Sequence, residues 1–439
     1  MQPGQTAPSR LMPENGAASR PGRVRTPDAG ELLEARIAQL WFWEGFYSRS
    51  AVDLTRHFHP EPLQVTDLDL LAFDLNPQLT PRKYIGEVKS GTGKSAPKAL
   101  DRLIWLRGLR GLVDAESGEL TIATPPSERV REVARSLGLV AQSVHDFERR
   151  EREAVGGFGD CGAHGVTALE LKIRVWSICR EDPELERAFG FLRSGVWFLE
   201  PFTAVKQIIE ILRRMARRWD SKLHDDESLA LRWILAEGVS ILTLNLVIIA
   251  GLSLTLERPL FSQFVGERLA EGLIPMTQMR RISDSIDKYV NGVLSAANVP
   301  ADIRTNAIGA FLPEPPDWAE PLAEVTWRMG RSAIQARSLP RQIDLLVHER
   351  ITRDREVAER TASRIGLERH DTARLRNLLA AFLRGCEACP DVVNDALTYA
   401  VPVHGATKDE RPAASGQLTL LPEPLPPDVD PKVQPEPNE

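Results

Sequence analysis

The run Val239–Leu256, VSILTLNLVIIAGLSLTL, carries no charged residue and constrains the fold more than any other segment. A stretch that long and apolar either approaches a membrane span or forms the centre of a helical core. On a helical wheel Ser240, Thr243, Gly251 and Thr255 gather on one side, where small side chains admit another helix closely. Asn245 and Ser253 fall on the other side. Polar atoms on both sides suit a helix buried among helices better than one facing lipid, where each polar group lacks a partner. A buried core helix is therefore expected, with a membrane-tethered chain as the alternative.

The chain has 439 residues, 42% hydrophobic and 26% charged, which fits a folded soluble protein of several domains. Its formal net charge of −6 excludes a generally basic nucleic-acid coat, so any such contact must come from a local patch. Four cysteines are too few for a disulfide scaffold and suit a reducing compartment. The N-terminus lacks the apolar core of a signal peptide, so a cytoplasmic location is expected.

Residues 1–28 are rich in Pro, Gly, Ser, Ala and Arg and read as a disordered arm; residues 405–439 read as a disordered, acidic, Pro-rich tail. Residues 29–150 alternate between helical and strand-like patterns. A helix is expected over Glu31–Glu44, capped near Asp28 and stopped by Gly45. Strands are expected over Phe46–Leu54, Gln64–Leu75 and Arg82–Ser90, the last two joined by the Asn76-Pro77-Gln78 turn. A helix over Ser95–Leu112, with Leu100, Leu103, Ile104, Leu106 and Leu109 on its apolar side, precedes a strand over Glu119–Ala123. A helix over Ser127–Leu137 and a strand over Leu139–Val144 follow. This order predicts a mixed sheet flanked by helices. Residues 165–310 and 322–404 read as helical, with Phe311–Pro316 as a linker between them. The expected fold class is thus an α/β core followed by a largely α-helical C-terminal region.

Asp67 and Asp69 sit two apart on one predicted strand, so both should face the same way; Glu87 and Lys89 repeat that spacing on the next strand. If these strands pair, four ionisable groups converge, and burying them is costly without a cation. Mg²⁺ or Mn²⁺ prefers such carboxylate oxygens and water. Glu34, one turn after Glu31, sits on a helix that could dock beside the sheet. This chemistry fits phosphodiester hydrolysis: a divalent ion polarises phosphate and lowers the pKa of a bound water, and a lysine orients that water. Lys83, Lys94, Lys98, Arg102 and Arg107 form a basic rim that would attract phosphates to this acidic centre.

These residues resemble the PD-(D/E)XK, or restriction-endonuclease-like, nucleases, especially Mrr-type restriction enzymes and archaeal Holliday-junction resolvases. The resemblance covers Gly30 to about Val144. It rests on Gly30-x-x-x-Glu34, the helix ending Gly45-Phe46-Tyr47, Asp-Leu-Asp-Leu-Leu-Ala at 67–72, and Gly-Glu-Val-Lys-Ser at 86–90 before a helix. It implies a restriction-endonuclease-like core in which Asp69 and Glu87 hold the metal, Lys89 is the catalytic lysine and Glu34 is the helix glutamate. Lys98 or Arg102 would be the polar residue on the following helix. Thr66, rather than Pro, precedes Asp67, and the choice between Asp67 and Asp69 stays open. The implied function is a Mg²⁺-dependent deoxyribonuclease of DNA repair or host defence, expected to act as a homodimer. The alternative is a nuclease-like module that binds nucleic acid without cutting while its helical region binds a partner.

Weaker signals remain. Arg213, Arg214, Arg217 and Arg218 beside Trp219 form a basic stripe that reads first as a solvated helix face. Cys386 and Cys389, with Cys161 and His164, offer zinc-like spacings but read first as structural, and His57 and His59 read as a turn. In the tail, Gln417, Leu418, Thr419, Leu420 and Leu421 resemble the pentapeptide by which bacterial replication and repair proteins hook the sliding clamp.

Overall fold

The computed structural model describes residues 25–57, 62–91, 98–223, 225–272, 274–300 and 313–401. The terminal arm up to residue 24, the clamp-like motif at 417–421, Lys94 and His59 lie outside these residues.

Helix α1 spans Ala29–Glu44. Its start is a capping box: Asp28 Oδ1 accepts the Glu31 N–H at 2.9 Å, and Glu31 Oε2 accepts the Asp28 N–H at 3.0 Å. Gly45 ends it at φ 116°, a conformation that favours glycine. Five strands follow in a sheet ordered as in the chain: β1 Tyr47–His57, β2 Pro62–Leu75, β3 Pro81–Lys89, β4 Ser117–Ile122 and β5 Leu139–Ser143. The first three form an antiparallel meander; β3, β4 and β5 run parallel. The parallel steps need crossovers, supplied by α2 (Ala99–Val113) and α3 (Glu128–Ser136). Helix α4 spans Val144–Ala154. On α2, Leu103, Leu106, Leu109 and Val113 are buried, whereas Leu100 and Ile104, expected on its apolar side, face solvent.

The rest is helical: α5 Val166–Cys179, α6 Pro183–Arg193, α7 Pro201–Arg218, α8 Asp225–Leu252, α9 Arg258–Ala270 and α10 Met276–Ala296. Then come α11 Ala319–Arg331, α12 Ala333–Ala336, α13 Leu339–Val347, α14 Glu359–Ile365, α15 His370–Gly385 and α16 Asp391–Thr398. A π-turn over His348–Thr352 extends α13.

The uncharged run is the C-terminal part of α8. Among the described residues this helix is long and apolar enough to cross a membrane, and 89% of its most apolar window is buried within the protein. The polar atoms that argued for burial are satisfied there. Thr243 donates to the Val239 carbonyl at 2.8 Å, Asn245 to that of Ile241 at 2.9 Å, and the Ser240 hydroxyl meets that of Tyr47 at 2.8 Å. Thr255 lies past the end of α8 and is exposed, so it does not share a helical face with Ser240. Gly251 lets α8 approach the β2–β3 turn: an added Cβ would lie 2.9 Å from the Gln78 carbonyl.

One sheet face and α8 therefore share a core. Leu54, Leu71, Phe73, Ile85 and Leu120 belong to the same hydrophobic cluster as Ile234, Leu242 and Leu246. On the opposite face α1 packs through Ile37, Leu40 and Trp41 against Leu70, Ala72 and Val88.

Candidate metal centre

The site forms where two strands part. β2 and β3 pair from Leu75↔Pro81 to Leu70↔Gly86, and their ladder ends there. Gly86 permits the last close contact, since a Cβ would lie 2.6 Å from Leu70 Cδ1 and 3.0 Å from Trp41. Just beyond, Asp69 Oδ2 accepts the Val88 N–H at 2.7 Å, so a carboxylate replaces the missing ladder acceptor.

The strand alternation also breaks here. Leu68 and Leu71 enter the same cluster although they are three apart, as do Tyr47 and Val52, five apart on β1. Between them, Ala51 on β1 adopts φ 52°, an uncommon conformation for a residue with a Cβ. The expectation that Asp67 and Asp69 face the same way does not hold as a result. Asp69 turns into the gap between β2 and β3. Asp67 is exposed and opposite Asp53 of β1, with which its carboxyl interacts.

Lys89 Nζ lies 3.2 Å from Asp69 Oδ2 and 2.9 Å from Glu87 Oε1. Arg102 of α2 reaches the same Glu87 oxygen at 3.5 Å. The electrostatics follow from crowding carboxylates in a partly buried site. Burial, then the charge of Asp69, pushes the Glu34 carboxyl up to about 8, against the opposing pull of Lys89. Burial and Asp69 also raise Glu87. Burial disfavours the Lys89 ammonium, but Asp69 and Glu87 outweigh it and hold its pKa above the ordinary value. The structure thus brings Glu34, Asp69, Glu87, Lys89 and Arg102 into one electrostatic cluster and leaves Asp67 outside it. Lys98 is exposed at the start of α2. Beside Lys89, a groove of about 210 Å³ passes between the ends of β3 and β4 and the start of α3, lined by Gly91, Ala99, Thr124 and Ser127.

A second ionic cluster escaped the sequence reading. Arg49 Nε donates to Glu237 Oε1 at 2.8 Å, and its Nη2 to Asp344 Oδ1 at 2.5 Å and to the Tyr47 hydroxyl at 3.0 Å. His348 Nε2 lies 3.1 Å from Glu237 Oε2, and His164 Nε2 lies 2.9 Å from Asp344 Oδ2. Glu237, Asp344 and His348 place three possible ligand atoms within 4.8 Å of one another. The Arg49 guanidinium already supplies the positive charge there. Burial pushes both carboxyls up, but Arg49 and the histidines outweigh it, holding Glu237 down at about 2 and Asp344 well below the carboxylate range. Arg49 among the small and apolar residues of β1 and a Glu two residues before the uncharged run were the available signals; their pairing depends on tertiary structure. A cavity of about 30 Å³ borders this cluster at β1, where Lys172 donates to the Ser50 carbonyl at 2.9 Å.

The arginine stripe of α7 and the cysteines make contacts within the fold. Arg213 donates to the Cys386 carbonyl at 2.5 Å. Arg214 pairs with Glu210 at 2.8 Å, Arg217 with Glu387 at 3.8 Å, and Arg218 with Asp182 at 2.7 Å. Cys386 and Cys161 lie in different hydrophobic clusters, and no cysteine joins a metal-like group among the described residues.

No protein-family model matches the chain, and no curated protein does. Among solved structures it is similar to one titled "Crystal Structure of Protein of Unknown Function AF1548". The similarity has 14% identity and a TM-score of 0.21, covering 48% of this chain and 97% of that one. At that score it carries no argument about fold or function.

Proposed function

We propose that the sheet and its flanking helices are a PD-(D/E)XK-type core, and that the protein is a Mg²⁺- or Mn²⁺-dependent endonuclease acting on DNA. The observation that carries this reading is the Asp69–Lys89–Glu87 contact at the parting of β2 and β3, with Glu34 held largely protonated beside it. The donor set suits a hard divalent cation: Asp69 and Glu87 would hold it, and Glu34 would join on losing its proton. Bound there, the cation supplies Lewis acidity and a water of lowered pKa.

The chain's own residues have definite tasks. Lys89 donates hydrogen bonds at the point where charge develops as water adds to phosphorus and the bond to the leaving sugar oxygen breaks. Asp69, tied to the Val88 N–H, cannot swing away from the site. On α2, Lys98, Arg102 and Trp105 recur at one-turn spacing, and Trp105 remains 43% exposed. Cations interleaved with an exposed indole suit a phosphate backbone carrying stackable bases.

One observation favours a second reading, in which the domain binds nucleic acid without cutting. Lys89 and Arg102 both neutralise Glu87 without any ion. Plasmid and single-stranded DNA, incubated with Mg²⁺, Mn²⁺ or chelator beside a Lys89→Ala variant, separate the two. Metal-dependent cleavage that falls by about two to three orders of magnitude in the variant supports the nuclease. Retention of DNA with no cleavage by either protein supports the binding module.

A further inference from the structure

The cavity of about 30 Å³ beside the Arg49 cluster is walled by β1, α1, α5, α6 and α8, and its polar lining has more donors than acceptors. Two of its three cations are paired: Arg49 with Glu237 and Asp344, and Arg193 with Asp53 at 3.0 Å. The third, Lys172 of α5, has no carboxylate partner among the described residues. It spends one of its three hydrogens on the Ser50 carbonyl at 2.9 Å. Burial, then the charge of Arg193, pushes its ammonium down to about 8, so its charge is under-compensated. Two further donors have no protein acceptor: the buried Nε–H of Arg193 and the Nε1–H of Trp197, a residue only 6% exposed. Ser50, Ala51 and Val52 form one wall, so the positive-φ residue of β1 belongs to this site, and such strain is often kept where a ligand is held.

We infer that this cavity binds a small monocarboxylate of about acetate size, with Lys172 as its counter-ion and Trp197 and Arg193 as hydrogen-bond donors. Hydrogen-bond accounting selects an anion over water. Water brings hydrogens that need acceptors of their own, and the carboxylate in the lining, Glu237, is engaged by Arg49 at 2.8 Å and His348 at 3.1 Å. A carboxylate brings acceptors alone. One unpaired cation matches one negative charge. The volume suits about two water molecules, which excludes a nucleotide and disfavours the larger, more highly charged phosphate. The remaining walls, among them Ala35, Ala38, Leu169, Phe189 and Leu192, are hydrocarbon. They suit the carbon end of the ligand, from which a chloride ion gains nothing.

Saturation-transfer NMR on the acetate methyl protons tests this with the full chain in a buffer free of chloride and other carboxylates. It reads binding rather than cleavage, so it stands or falls apart from the nuclease reading. A saturable signal is expected at about millimolar acetate, since so small a ligand binds weakly. Lys172→Met, which keeps the length and removes the charge, should weaken binding by at least about tenfold. Trp197→Phe, which keeps a ring and removes the N–H, should weaken it by a smaller factor. Lys222→Met, at an exposed turn, should leave it unchanged. Circular dichroism verifies each fold, and if one cavity variant unfolds the other decides. No saturable signal, or an affinity indifferent to the folded cavity variants, overturns the inference. So does full displacement of acetate by an equal concentration of chloride, the mark of a site that reads charge alone.

Discussion

Two ionic clusters sit on the same meander and behave in opposite ways. Around Arg49, two carboxylates share one buried guanidinium, two histidines and the Ser240 hydroxyl, and both carboxyls are held far down. Around Asp69, three carboxyls share Lys89 with partial help from Arg102, and Glu34 and Glu87 are pushed up. The first cluster contains its own cation and works as an internal fastener between β1, α8 and α13. The second is only partly buried, crowds a third carboxyl, Glu34, beside Asp69 and Glu87 by keeping it protonated, and opens beside a groove, so loss of that proton would leave carboxylate in excess, as the proposed divalent-ion site needs.

The largest expected effect tests the fastener. Arg49→Met leaves Glu237 and Asp344 buried without their guanidinium and should cost about 3–5 kcal/mol, read by urea unfolding. Lys89→Met should change stability far less, because its neighbours remain partly solvated. Equal losses would erase the distinction between the clusters.

Glu34 gives the next effect. Its carboxyl rises to about 8 in the folded protein from an ordinary value of 4.5, so the native state binds the proton more tightly. The metal-free protein should therefore lose stability as pH climbs from about 4.5 through about 8. Glu34→Gln should flatten that slope and raise Tm at alkaline pH by several degrees. An unchanged slope would mean that Glu34 is not under this strain.

Gly86→Ala comes third. Its methyl collides with Leu70 and Trp41, so a loss of about 1–3 kcal/mol is expected by thermal unfolding, with weakened cation binding as the strands shift. Ala51→Gly is smallest: it relieves the positive φ and should be neutral or stabilising by under about 1 kcal/mol. A clear loss there would show that the Ala51 methyl contributes packing that outweighs the relief.

Much of the sheet was legible because its signals are local. Apolar alternation, the Asn76–Gln78 turn, the Asp28 cap and the Gly45 stop each act within a few residues, and every strand and helix expected over residues 29–144 is present. Glu87 and Lys89 could be paired by spacing on one strand. The separation of Asp67 from Asp69 could not, because it depends on a break in alternation shared by two strands. Nor could the Arg49 cluster, whose members lie as far apart in the chain as Arg49 and Asp344. The outward face of α2 was misread because Leu100 and Ile104 fit a helical period without meeting a core.

The most direct measurement is a Mn²⁺ titration followed by electron paramagnetic resonance, on the wild-type chain, Asp69→Asn and Glu237→Gln. The account predicts stoichiometric binding to wild type, loss in Asp69→Asn, and retention in Glu237→Gln for as long as that variant stays folded. Binding that survives Asp69→Asn and disappears in a folded Glu237→Gln protein would contradict it and move the metal centre to the Arg49 cluster.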